Sequence, residues 1–140
     1  MIIATWNVNS IRKRLPLVLE WLSEHRPDVM CLQETKVPDA GFPAEALRAA
    51  GYEVTFRGRT AYNGIATLTR VAPEHVMFGL HEGSDNEDDR ILQTVVCGIP
   101  IVNTYVPQGY RISSERYVFK LEWFRRIRHY FEERLDPGKP

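Results

Sequence analysis

Two short segments carry side chains suited to one kind of chemistry, Trp6-Asn7-Val8-Asn9 and Leu32-Gln33-Glu34-Thr35-Lys36. Each follows an apolar run that reads as a buried strand. Ligands of α/β sheets gather where strands deliver their carboxyl ends, so parallel first strands would bring Asn7 and Glu34 out on one side. A carboxylate beside an amide suits a hard, oxygen-seeking cation such as Mg²⁺, which binds one or two protein carboxylates and keeps several waters. The same residues allow a plainer outcome, with Asn7 closing a turn and Glu34 paired to Lys36 or an arginine. Spacing alone leaves both open.

The elements that must hold these residues follow from the apolar pattern. Ile2–Asn7 reads as a strand, Ser10 as a helix cap, and Leu15, Val18, Leu19 and Leu22 recur at helical spacing with Pro16 near the first turn. Pro27-Asp28 ends that helix and Val29–Leu32 begins a second strand, completing a βαβ unit. Pro43 opens a short helix through Ala50, closed by Gly51. Strands are expected at Tyr52–Arg57, Gly64–Thr69, Val76–Phe78, Ile91–Cys97 and Ile101–Val106, with Gly98-Ile99-Pro100 as a hairpin turn. The run Glu82-Gly83-Ser84-Asp85-Asn86-Glu87-Asp88-Asp89 reads as a solvated acidic loop. A long helix from Ser114 to Leu135 closes the pattern, with Tyr117, Leu121, Phe124, Ile127 and Phe131 as its apolar stripe and Arg125, Arg126 and Arg128 on a solvated face.

Composition bounds the class. At 140 residues, 44% hydrophobic and 26% charged, the chain fits a single α/β domain spanning 1–140. Its 18 basic and 18 acidic side chains cancel, which argues against gripping nucleic acid by overall field while allowing a local basic patch. No apolar run approaches the roughly 20 residues of a membrane span and no leader is evident, so a cytoplasmic location is expected. Cys31 and Cys97 lie in apolar runs and are expected to be buried free thiols. Thr94-Val95-Val96-Cys97 and Ile101-Val102 are apolar on both parities, the mark of a sheet covered on both faces. Helices on one face would leave the other bare, and self-association, as a two-fold dimer, is the expected cover.

Four segments carry a resemblance: Asn7-Val8-Asn9-Ser10-Ile11-Arg12, Leu32-Gln33-Glu34-Thr35-Lys36, Tyr62-Asn63-Gly64-Ile65-Ala66 and Asn103-Thr104-Tyr105-Val106-Pro107-Gln108-Gly109. In order and approximate spacing they resemble the N-terminal half of the exonuclease III and apurinic (AP) endonuclease family of magnesium-dependent phosphodiesterases. The resemblance implies about one half of a four-layer αββα sandwich, here one mixed sheet with helices on one face. It implies a metal-binding glutamate at Glu34, an asparagine at Asn7 that arranges the metal and phosphate site, and an active-site tyrosine at Tyr105. Arg12, Tyr62, Arg90, Gln108 and Arg111 match DNA-facing positions. Lys36 fits either neutralising Glu34 or approaching phosphate.

The implied cofactor is Mg²⁺, with Mn²⁺ as a substitute, and the implied partner is double-stranded DNA with abasic or 3′-blocked sites. Family segments that complete the catalytic set, among them Gly-Asp-x-Asn and Ser-Asp-His, do not occur here. The implied activity therefore belongs to a longer protein, and this chain alone is expected to be inactive. The competing expectations are a non-catalytic DNA-binding or assembly module, or a hydrolase of other phosphoesters.

Overall fold

A computed structural model describes residues 1–59, 61–80 and 90–138. It comprises two compact units, Met1–Tyr105 and Val106–Pro140. The expected acidic loop lies outside the described residues.

In the first unit the order is β1 (Ile3–Asn7), α1 (Ile11–His25), β2 (Val29–Gln33), α2 (Ala44–Ala49), β3 (Glu53–Arg57), β4 (Ile65–Thr69), β5 (His75–Phe78), β6 (Ile91–Val96) and β7 (Ile99–Thr104). β1 and β2 run parallel, as a βαβ unit requires, with Asn7 opposite Gln33. β4 and then β3 extend this sheet antiparallel, in the order β1-β2-β4-β3. A second antiparallel sheet has the order β5-β6-β7.

Both parities of β2 and β4 are buried. Met30, Leu32, Ala66 and Leu68 join Ile11, Val18 and Leu22 of α1 and Ala44 and Leu47 of α2 in one core. The opposite parity, Val29 and Cys31, packs with Val96 and Ile101 of the second sheet. The mixed sheet with helices on one face is present. Its other face is not bare: the chain's own second sheet covers it, so the apolar double parity needs no second copy. That removes the physical ground for expecting a dimer through this face.

Local corrections have simple causes. Ser10 occupies the N-cap position at φ 92°, yet its side chain makes no cap hydrogen bond; its carbonyl accepts from Arg14 N instead. Pro16 lies inside α1, beyond its first turn. The carbonyl it orphans belongs to Arg12, and both residues lie on the exposed side of the helix, where water can satisfy it. The β6–β7 hairpin turns at Cys97-Gly98, both at positive φ (52° and 75°), as a two-residue primed turn demands. Ile99 and Pro100 therefore begin β7, and Pro100 sits on a strand at the edge of its sheet, where its missing N–H does least harm.

That turn also exposes Cys97, whereas Cys31 is buried and both thiols are free. Burial, slightly offset by a hydrogen bond with Thr67, pushes the Cys31 thiol up to about 11. At about pH 8 a thiol-specific reagent should modify Cys97 promptly and leave Cys31 until the fold opens. Two equally fast phases would contradict this placement.

In the second unit α3 (Glu115–Arg134) starts at Ser114, whose hydroxyl accepts from Tyr117 N at 3.2 Å and donates to Gly109 O at 3.2 Å. Its buried face is Trp123, Ile127 and Tyr130. Of the expected stripe only Ile127 is fully buried; Leu121, Phe124 and Phe131 are exposed. Among the described residues no helix is long and apolar enough to cross a membrane.

Candidate active site

The C-terminal ends of β1 and β2 and the start of β4 converge through main-chain hydrogen bonds. Val8 N donates to Gln33 O (3.0 Å), Ser10 N to Glu34 O (2.8 Å) and Ile11 N to Thr35 O (3.0 Å). On the other side Thr35 N donates to Gly64 O (3.2 Å) and Lys36 N to Asn63 O (3.0 Å). The residues at these junctions take left-handed backbone: Asn9, Ser10, Glu34, Lys36 and Asn63 have φ of 41°, 92°, 54°, 54° and 51°. Such values are uncommon outside glycine and cluster where a fold over-determines its loops.

Glu34 is the centre of the resulting cluster. Asn7 Nδ2 donates to Glu34 Oε1 at 2.7 Å, and Lys36 Nζ lies 2.7 Å from Glu34 Oε2. Lys36 Nζ also donates to Asn9 Oδ1 at 2.5 Å, and Asn9 N donates to Asn7 Oδ1 at 3.2 Å. The Tyr105 phenol, just past the end of β7, lies close enough to Glu34 for each to shift the other's ionisation. Burial pushes the Glu34 carboxyl up, but hydrogen bonds from Asn7, Lys36 and Tyr105 and the Lys36 charge together hold it below its ordinary value of 4.5. Burial and the neighbouring Glu34 carboxylate push the Tyr105 phenol up, against the cations Arg90 and Lys36. Near neutral pH Glu34 is a carboxylate and Tyr105 a proton-bearing donor.

Arg90 holds Tyr105 from behind. Its guanidinium carbon lies 4.8 Å from the Tyr105 ring centroid, its Nη1 donates to Tyr105 O at 3.5 Å, and Tyr105 N donates to Arg90 O at 2.7 Å. The part-exposed Lys36–Glu34 pair adds little stability, since such pairs are worth about 0–1 kcal/mol. Its role is to orient the carboxylate and neutralise it.

A family model described as the Endonuclease/Exonuclease/phosphatase family matches residues 4–140. The chain belongs to that family. Among solved structures, this family member is similar to an AP endonuclease from Archaeoglobus fulgidus, with TM-score 0.92 and 45% identity over 97% of this chain and 53% of the other. A 3′ phosphatase from Neisseria bound to product DNA hairpin gives TM-score 0.90 and 35% identity over 95% and 52%. Exodeoxyribonuclease III of Haemophilus influenzae is 29% identical over 97% of this chain and 53% of that protein. The chain spans about half the length of these relatives.

The geometry brings Asn7, Glu34 and Tyr105 together, with Lys36 shared between the Glu34 carboxylate and Asn9 Oδ1. Arg12 is exposed at the start of α1, its Nε reaching Gly41 O at 3.4 Å. Tyr62 is 75% exposed, beside the Asn63 carbonyl that receives Lys36 N. Arg90, expected to face DNA, lies over Tyr105. Gln108 and Arg111 are exposed in the second unit, where Arg111 lies 5.8 Å from the Tyr110 ring. Asn9 was missed as a site residue because a polar side chain after a strand reads as an ordinary turn.

Glu34 fits a hard divalent cation in type: it is an ionised carboxylate, braced at Oε1 by Asn7 Nδ2, and its Oε2 holds the Lys36 ammonium that a metal cation would displace. Among the described residues no group of three His, Cys, Asp or Glu side chains could hold a metal.

Proposed function

We propose that this chain carries the Glu34 portion of a Mg²⁺-dependent DNA-repair phosphodiesterase of the AP endonuclease and exonuclease III type, acting in the cytoplasm on duplex DNA with abasic or 3′-blocked sites. The observation that carries the reading is the convergence of Asn7, Lys36 and Tyr105 on one ionised carboxylate at the strand ends of an Endonuclease/Exonuclease/phosphatase domain. A cation held by Glu34 would supply Lewis-acid neutralisation of the phosphoryl oxygens. The chain's own groups do the rest of what is assigned here. Asn7 fixes the carboxylate; Tyr105, still protonated, can donate to a phosphoryl oxygen; Arg90 keeps that ring in place; Lys36, when released from Glu34, offers a second positive charge. Donors aimed at developing charge are typically worth about 10²–10³ in rate each.

Residues 1–140 are read as the N-terminal part of one such domain. Acid–base groups contribute about 10²–10⁴-fold each, and this chain spans about half its relatives. Its turnover in isolation is therefore expected to be slow. The test is a labelled abasic duplex with Mg²⁺ or Mn²⁺, followed for binding and cleavage. Weak metal-dependent binding with little cleavage supports the reading; robust cleavage overturns the inactivity, and no affinity for either cation or duplex overturns the site. Arg12→Ala should weaken duplex binding and lower the slope of log K against log salt by about 1, the loss of one phosphate contact. An unchanged slope would remove Arg12 from the DNA-facing surface.

A further inference from the structure

The two sheets of the first unit meet at a buried amide pair whose members stand next to the site residues. Gln33 is 8% exposed and Asn103 2%. Gln33 Nε2 donates to Asn103 Oδ1 at 2.7 Å and to Thr5 Oγ1 at 2.9 Å. Asn103 Nδ2 donates to Ala66 O at 2.8 Å, with longer contacts to Thr67 Oγ1 at 3.3 Å and Leu32 O at 3.4 Å. One residue of β7 is thereby tied to β2 and β4 directly and to β1 through Gln33. Glu34 directly follows Gln33, and Tyr105 stands two residues after Asn103.

We propose that Gln33 and Asn103 are positioning residues that fix Glu34 on one sheet against Tyr105 on the other. Among the described residues an apolar cluster of Val29, Cys31, Val96 and Ile101 also lies between the sheets. Apolar burial is non-directional and tolerates small slippage, whereas satisfied buried amides set distance and angle. Placing the directional contact beside the neighbouring Glu34 and Tyr105 side chains is what converts packing of two sheets into alignment of two functional groups. The inference rests on reading Glu34 and Tyr105 as one site.

The test uses the full chain with ring-labelled tyrosine, the Tyr105 resonance being assigned by Tyr105→Phe. In the wild-type protein Glu34→Gln should shift that resonance, because the phenol stands beside the carboxylate and feels its charge. In Gln33→Met and in Asn103→Ser backgrounds the same Glu34→Gln change should move it at most about half as far, as a weakened alignment requires. A full-sized response in both backgrounds overturns the positioning role. No response even in the wild-type background overturns the Glu34–Tyr105 pairing instead, so the two failures are distinct. Should either variant fail to fold, the wild-type side-chain amides decide: those of Gln33 and Asn103 should exchange at least about tenfold more slowly than that of exposed Gln108. Equal exchange would overturn the proposal.

Discussion

Glu34→Gln should weaken binding of a divalent cation by at least about 10–100-fold, since loss of a mere supporting hydrogen bond around a metal site already costs that much. The change keeps size and shape. It removes the charge and sets a new amide donor against Lys36, which lies 2.7 Å from Oε2 in the native arrangement. Lys36 retains Asn9 Oδ1 as a partner, so global stability at neutral pH should fall by no more than about 1 kcal/mol. Calorimetric titration with Mn²⁺ and Mg²⁺ reads the first effect and denaturant unfolding the second; undiminished cation affinity would sink the assignment of Glu34. The pH dependence has a definite sign. Because the folded-state carboxyl lies below its ordinary 4.5, its stabilisation is complete above that value and is lost as pH falls through the lower folded-state value. The stability gap between wild type and Glu34→Gln should therefore shrink on acidification below about 4.5.

Gly64→Ala should be among the most damaging small substitutions. Gly64 sits at φ +88°, and a Cβ there would lie 2.1 Å from Thr35 Oγ1 and 3.2 Å from Lys36 N. Left-handed backbone costs a non-glycine residue about 1–2 kcal/mol, and overpacking a tight site about 1–3 kcal/mol. Thr35 is 1% exposed and has nowhere to retreat. The expected loss is about 2–4 kcal/mol, or on the order of 10 °C in Tm at this size. Displacing Thr35 would also strain the Thr35 N to Gly64 O bond that adjoins Glu34. Gly51→Ala is the control: its φ is +91°, but nothing lies within 4 Å of the added carbon. Thermal unfolding of both variants separates crowding from conformation, and equal losses would show that the contact with Thr35 carries no weight.

The βαβ start and the strand ends bearing Asn7 and Glu34 were readable because apolar runs of strand length stop at polar residues. The family motifs added Tyr105. The partition of strands into two sheets was not readable. Double-parity burial says that both faces of β2 and β4 are covered, but leaves open whether by helix, sheet or partner. The α3 face misled for a related reason: Tyr117, Leu121, Phe124, Ile127 and Phe131 read as one apolar stripe, whereas burial selects Trp123, Ile127 and Tyr130. Gln33 and Asn103 lie within the motifs, but nothing local marks an amide as buried between sheets. Pro16 and Ser10 show that cap and helix-breaker rules yield when exposure supplies water or another residue supplies the bond.

The left-handed residues around Glu34 have a consequence for recognition. Asn9, Ser10, Glu34, Lys36 and Asn63 each hold a backbone state that a free chain rarely visits, at roughly 1–3 kcal/mol apiece. That cost is met during folding, by the sheets and helices behind the loops. A ligand arriving at Glu34 meets a preorganised rim and has no loop entropy to remove, so its encounter should resemble docking to a rigid surface rather than folding around a guest. Its association rate should then be governed by charge and diffusion, and conformational rearrangement should leave no separate kinetic phase.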